Sequence, residues 1–269
     1  MKIAFRTLLM IAVTLEIVML ISAALSSSVS AWWAVAPLLL VGMALALLFA
    51  GAVVDRRQTG SWSASLSRTS ERFGVPRKAL ALFVSETAAL VSVAKVFRRP
   101  SAPAGSEAHP SHQNLRTVVF VILGLALVEI LVVHLAVRNQ AWRAVLLVVS
   151  IYALLLLVGF YTSMRIHPHL LTPDGLTLRH GIRFRCEIPW GNISLVKPVG
   201  AGQGGDIVIA DDGEVRLPVL SEVNIRIEID PPASAHDLFQ GPAGVSAIEF
   251  YCDDRTAFLD SATEARTSH

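Results

Sequence analysis

Four apolar runs, at residues 8–25, 32–54, 118–137 and 144–164, dominate the first 164 positions. Each is 18 to 23 residues long, and a helix needs about 20 residues to cross a hydrocarbon core of ~30 Å. Lipid offers no partner to a backbone N–H or C=O, so such runs cross as helices. The pattern predicts a membrane α-helical protein whose four-helix transmembrane bundle is made of two hairpins. Composition agrees: 53% of residues are hydrophobic, 16% are charged, and mean hydropathy is +0.56, where soluble chains average ~45–50% apolar and ~25% charged.

The net charge of +2 hides two opposite halves. Residues 1–164 hold 14 Lys and Arg against 6 Asp and Glu, and residues 165–269 hold 9 against 15. An acidic tail argues against nucleic acid as a partner. Residues 55–116 carry ten Lys and Arg, whereas the links at 26–31 and 138–143 carry none and two. Basic loops stay on the cytoplasmic side. The N-terminus, the 55–116 loop and the C-terminal tail are therefore expected in the cytoplasm of a multi-pass inner (plasma) membrane protein. Lys2, Arg6, the first run and Ser28-Val29-Ser30-Ala31 also fit a secretory signal with its cleavage site. The run is longer than the usual ~7–15 residues and Glu16 interrupts it, which favours a retained span.

The runs repeat. Arg6-Thr7 and Arg116-Thr117 precede the first and third, and Ala31-Trp32 and Ala141-Trp142 precede the second and fourth, each at a separation of 110. Glu16-Ile17-Val18 recurs as Glu129-Ile130-Leu131 at 113. Two hairpins in one orientation make a parallel repeat, as in some transporters; leucine-rich runs with interfacial Trp also align by chance. An ionisable group inside a span is a candidate functional site. Glu16, Glu129 and His134, five residues on, are candidates for a proton path. The plainer reading is neutral carboxyls holding helices together. No span has the Gly or Pro break of a substrate site, and Pro37 sits where a helix tolerates it.

The chain then divides into a first hairpin (1–54), a basic loop (55–116), a second hairpin (117–165) and a β domain (166–269). In the loop, residues 58–72 are polar and Ser-rich and are expected to be mobile. Pro76 opens an amphipathic helix over about 76–99, with Leu80, Phe83, Val84, Leu90, Val91 and Phe97 on one arc. Arg77-Lys78 and Arg98-Arg99 flank it. That suits a helix lying on the inner membrane surface, packing on the bundle, or re-entering the bilayer. Glu86 borders the arc and is placed to cap or pair locally. Residues 100–113 read as a linker. His109 and His112 within it are too few for a metal site.

After His167 the texture changes to short alternating runs. Strands are expected at 176–180, 182–188, 193–199, 207–210, 214–217, 223–229 and 246–252. Asp211-Asp212-Gly213 marks a hairpin, and residues 231–244 read as a long connection. Asp254 caps a helix to about Ala265. The outline is a small cytoplasmic β-barrel or sandwich with a C-terminal helix.

Leu176, Gly181, Ile188, Pro189, Trp190 and Ile193 carry a resemblance. The run from Leu171 to Val199 resembles the opening strands of bacterial membrane proteins carrying a pleckstrin-homology-like (PH-like) domain. In these a strand after a Gly turn is followed by a second strand ending in Ile-Pro-Trp. The resemblance covers roughly 167–229, and 230–265 by order of elements only. It implies a seven-stranded barrel capped by a helix, with a binding or scaffolding role. It also makes Arg179, Arg183 and Arg185 candidates for headgroup or partner binding. Against that, the tail is net acidic beside an anionic leaflet, and an outward polar strand face accounts for these arginines as well.

Other patterns are weak. Gly200-Ala201-Gly202-Gln203-Gly204-Gly205 matches a dinucleotide fingerprint by letters, but it precedes a strand, not a helix. Asn192-Ile193-Ser194 is a glycosylation triplet without consequence in the cytoplasm. His167 and His169 mark the exit from the last span. Cys186 and Cys252 are expected as reduced thiols. No catalytic set, metal site or cofactor is expected. The leading expectation is a polytopic membrane protein whose PH-like domain binds a cytoplasmic protein or its own basic loop 55–116. The partners are then the lipid bilayer and that protein or loop, with homo-oligomerisation plausible. The alternative is a proton-coupled transporter or channel using Glu16 and Glu129.

Overall fold

A computed structural model describes residues 31–60, 62–98, 102–200, 205, 207–210 and 212–267. Two compact units divide inside a helix, between Val84 and Ser85. The first holds α1 (Ala31–Thr59), α2 (Trp62–Phe73) and the start of α3 (Arg77–Val93).

In this unit α1 buries Ala44, Leu48, Ala52 and Asp55. The Ser65 hydroxyl of α2 donates to the Ala52 carbonyl at 2.5 Å. The buried Asp55 carboxylate accepts from Thr69 at 3.0 Å and lies 3.7 Å from Arg72, partners that a carboxylate out of water requires. The stretch 58–72, expected to be mobile, is therefore mostly helix. Its Ser63, Ser65 and Thr69 point inward beside Leu66 and Phe73. Polar letters misled because small hydroxyls bond to helix carbonyls and let helices approach.

The second unit holds the rest of α3, β1 (Glu107–His109), α4 (Gln113–Ala136) and α5 (Gln140–Ile166). There follow β2 (His169–Thr172), β3 (Gly175–His180), β4 (Phe184–Pro189) and a 3-10 turn (Trp190–Asn192). Then come β5 (Ile193–Pro198), β6 (Val208–Ile209), β7 (Glu214–Leu217), β8 (Ile225–Asp237) and β9 (Gly241–Phe250). Last is α6 (Arg255–Thr267). Ala257 N–H donates to the Asp254 carboxylate at 2.9 Å, the expected cap of α6. The sheet order is β1-β2-β3-β4-β8-β9-β7-β6, with β5 also on β8. All pairs are antiparallel except β7 with β9. Strand alternation sets the core: Phe184, Cys186 and Ile188 are buried while Arg185 and Glu187 are exposed. Ile225, Ile227, Ile248 and Phe250 complete it, and Phe258 of α6 enters it.

This corrects the expected fold class. The strands join in one nine-stranded mixed sheet, not a small barrel behind a four-helix transmembrane bundle. Two helices among the described residues, α4 and Trp142–Ile166 of α5, are long and apolar enough to cross a membrane. They coincide with the third and fourth runs. The second run falls on α1, which continues past Val54 through Asp55, Arg56 and Arg57 and packs on α2 in the other unit. The first run, with Glu16, lies outside the described residues. Residues 231–244, read as a connection, belong instead to a β8–β9 hairpin turning at residues 238–240. Pro231 and Pro232 fall where the ladder is interrupted between Glu228 and Ala233, so their missing N–H groups break no pairing. The linker 100–113 contributes β1, which pairs β2.

Within the second unit α3 lies on α5. A Cβ on Gly159 would stand 2.1 Å from the Ala89 carbonyl oxygen, and the Tyr152 hydroxyl donates to Glu86 at 3.0 Å. Glu86 thus pairs with a distant helix, not locally. Gly159→Ala is expected to lower stability in detergent by about 1–3 kcal/mol through overpacking. Gly124→Ala, with open space around it on α4, is expected to cost nothing. Thermal unfolding of the two variants checks this, and equal effects would contradict the packing.

Candidate functional site

The helices of the apolar hairpin leave and re-enter the sheet at one place, the foot. Pro110, Ser111 and His112 lead from β1 into α4, whose first residue carries no side-chain cap of its own. The sheet supplies one. Asp253, just beyond β9, accepts from His112 N–H at 3.0 Å and from Gln113 N–H at 3.0 and 3.2 Å. Its own N–H donates to Pro110 O at 2.9 Å. The carboxylate is 1% exposed and sits at the positive end of the helix dipole. Nearby, Asn114 donates to Glu222 at 3.1 Å and Ser261 to Glu107 at 3.1 Å. Leu115, Val119, Met164, Val219 and Tyr251 form a small core shared by both helices and the sheet. Gly181, in the β3–β4 turn at φ 54°, would place a Cβ 3.1 Å from Ser163 Oγ and 3.2 Å from Met164 Sδ. The positive φ favours glycine there, and a Cβ would also press on those two side chains.

Histidines line the sheet side of the foot. His169, 2% exposed, accepts from Arg179 N–H on Nδ1 at 3.3 Å. Nε2 therefore carries the proton and donates to Tyr251 O at 3.1 Å. Burial pushes its pKa down to about 4, and burial does the same to His180. His109 stacks edge-on against Phe258 at 5.1 Å and His112 against Tyr161 at 5.8 Å. Both titrate below the ordinary histidine value, chiefly through burial. His167 donates from Nδ1 to Ser163 O at 2.8 Å, and burial holds its pKa down too. The buried Ser111, Thr162 and Ser163 hydroxyls have no hydrogen-bond partner among the described residues.

Cations gather outside this layer. Arg165 donates to Arg98 O at 2.8 Å, and Arg116 lies over the Phe120 ring at 5.8 Å. Arg116 and Arg165 both disfavour protonation of His112, and Lys95 and Arg179 both disfavour that of His167. Four cations thus lie around two histidines.

The candidate residues fall in different places. Arg183 donates to the buried Asp237 at 3.1 Å and covers Phe239. Arg185 pairs with Glu187 along β4. Arg179 is half-buried at the foot, and burial and Arg185 weaken its hold on its proton. Glu129 and His134 are both exposed on α4. His134 lines a cavity of about 20 Å³ with Ile130, Val133, Arg143, Leu147 and Ser150, and Glu129 does not; that volume holds about one water. Glu16 lies outside the described residues. Cys186 and Cys252 are free and buried, and burial pushes both thiols up to about 12. No group of three metal-ligating side chains occurs among the described residues.

Sequence reasoning missed the Asp253 cap and the Arg183–Asp237 pair. Asp253-Asp254 was the local signal: two adjacent caps serving two helices.

The histidines set a pH dependence. His169 and His180 are held neutral in the fold, at about 4 against 6.5 unfolded. Above pH 6.5 neither state takes the proton and stability is complete. As pH falls from 6.5 toward 4 only the unfolded state is protonated, so stability falls by on the order of 3 kcal/mol per histidine, and it levels off below 4. His169→Gln is expected to flatten that slope, measured as thermal midpoint against pH.

No protein-family model, no curated protein and no solved structure matches this chain, so function is argued from the residues themselves.

Proposed function

We propose that the chain is a membrane-anchored binding or scaffolding protein without catalytic activity. The α4–α5 hairpin enters the inner membrane from the cytoplasmic side, and the sheet with α6 is the cytoplasmic binding domain. One observation carries this reading: only 6% of the residues in the most apolar 18-residue window of each hairpin helix are buried. Phe120, Leu125, Leu127, Leu135 and Val148 are each more than half exposed. A water-soluble chain rarely exposes an apolar face of that extent.

Orientation follows from charge. Lys95, Arg98, Arg116 and Arg165 flank the foot, and Arg138 and Arg143 flank the far turn. The more basic side faces the cytoplasm. Trp142, 65% exposed at the far turn, suits the opposite interface. The buried thiols and the buried, backbone-bonded His169 favour binding over chemistry. The resemblance of β3 to β5 to PH-like opening strands favours the same role. Trp190 Nε1–H donating to Thr172 O at 2.9 Å supports it by tying the Ile-Pro-Trp turn to β2. The sheet's acidic groups already meet the chain's own loop through backbone amides, at Asp253.

Single cysteines test this in intact cells, because the native thiols are buried and unreactive. Gln140→Cys, at the far turn, is expected to react with a membrane-impermeant maleimide. Gly191→Cys, exposed in the 3-10 turn between β4 and β5, is expected to react only after lysis. Labelling of Gly191→Cys in intact cells, or a chain that stays dissolved without detergent, would overturn the proposal.

A further inference from the structure

Four cations at the foot, Lys95, Arg98, Arg116 and Arg165, have no carboxylate partner among the described residues. On the strands, Arg185, Lys197, Arg216 and Arg226 each lie within 4.0 Å of a carboxylate, as does Arg183 in the β3–β4 turn. Arg226 alone meets Glu214, Glu228 and Glu249. Lys95, Arg98, Arg116 and Arg165 meet none among the described residues. Four like charges at the edge of an apolar surface repel one another unless an anion joins them.

We propose that this foot binds the phosphodiester headgroup of an anionic phospholipid, through Lys95, Arg98, Arg116 and Arg165. The inference rests on the membrane reading above and names the lipid that reading implies. Position supports it: Arg116 precedes the exposed Val118 and Phe120, and Arg165 follows the exposed Phe160, so both mark the level where apolar wall gives way to polar sheet. Phe97, 94% exposed between Lys95 and Arg98, is placed to enter the acyl boundary beside the headgroup. The site is also preorganised. The Arg98 carbonyl holds the Arg165 guanidinium, and the Phe120 ring carries that of Arg116. Guanidinium forks match phosphate oxygens, and side chains already ordered lose less freedom on binding. A soluble phosphate offers the same chemistry, but the apolar flank of Phe97 and Phe120 favours the lipid.

The test uses the full chain in phosphatidylcholine nanodiscs containing a minor fraction of phosphatidylglycerol, with retained lipid counted by native mass spectrometry. Phosphatidylglycerol is expected to be enriched about fivefold or more over its mole fraction. Arg116→Gln with Arg165→Gln is expected to remove most of that enrichment. Arg116→Lys with Arg165→Lys is expected to keep part of it, and Arg138→Gln with Arg143→Gln, at the far turn, to leave it intact. If the Gln pair does not assemble, the wild type at about 1 M salt, where screening acts within ~3 Å, reads the same interaction. Enrichment that falls there supports the site, and enrichment that persists overturns it. No enrichment in the wild type, an equal loss from the far-turn pair, or full displacement by inorganic phosphate would each overturn it. A chain that never enters the nanodisc overturns the membrane reading; one that enters without enrichment overturns this inference alone.

Discussion

One buried carboxylate sets the geometry of the second unit. A helix leaves its first N–H groups without partners, and the apolar side chains of the hairpin cannot supply one. The residues before α4 provide no side-chain cap. Asp253 does so from the end of β9, bonding His112 and Gln113 across 141 and 140 residues. The hairpin therefore starts at a point fixed by the sheet, and Leu115, Val119, Met164, Val219 and Tyr251 pack around that point. Asn114 to Glu222 and Asp253 to Pro110 repeat the connection on either side.

Polarity is layered about this foot. Inside are histidines whose protonation burial disfavours, and His169 serves the backbone groups of Arg179 and Tyr251 with its two ring nitrogens. Outside are cations with no carboxylate partner among the described residues, then exposed apolar side chains along α4 and α5. The sheet's other charges cancel in place, through the network of Arg226, Arg216, Lys197, Glu214, Glu228 and Glu249. Lys95, Arg98, Arg116 and Arg165 thus stand apart from that network, at the level where the apolar surface of the hairpin begins.

Periodicity in the sequence made part of this legible. The alternation Phe184, Cys186, Ile188 reports burial directly, and the third and fourth runs fall on two helices long and apolar enough to cross a membrane. So did Asp254 before α6. Three segments failed for physical reasons. Ser63, Ser65 and Thr69 read as solvent-facing although a helix interface accommodates small hydroxyls. Pro231 and Pro232 read as the end of a strand although they sit at a ladder irregularity. Residues 107–109 are too short to show alternation. The candidate arginines of the β3–β4 hairpin were visible as charges, but the pairing of Arg183 with Asp237, 54 residues away, was not. Nor was the partner of Asp253: the adjacent Asp253-Asp254 pair signals capping, but nothing local names a helix 140 residues away. Counting runs of apolar letters also overstated the bundle, because α1 belongs to the other unit and its packing with α2 carries no signature in hydropathy.

Hydrogen exchange on the full chain in nanodiscs tests the clamp between sheet and hairpin most directly. The His112 and Gln113 amides are expected to exchange slowly in the wild type. In Asp253→Ala they are expected to exchange about tenfold faster, the equivalent of ~1.4 kcal/mol for a lost cap, while the central turns of α4 stay protected. Amides at the foot that exchange at the same rate in both proteins would contradict the account.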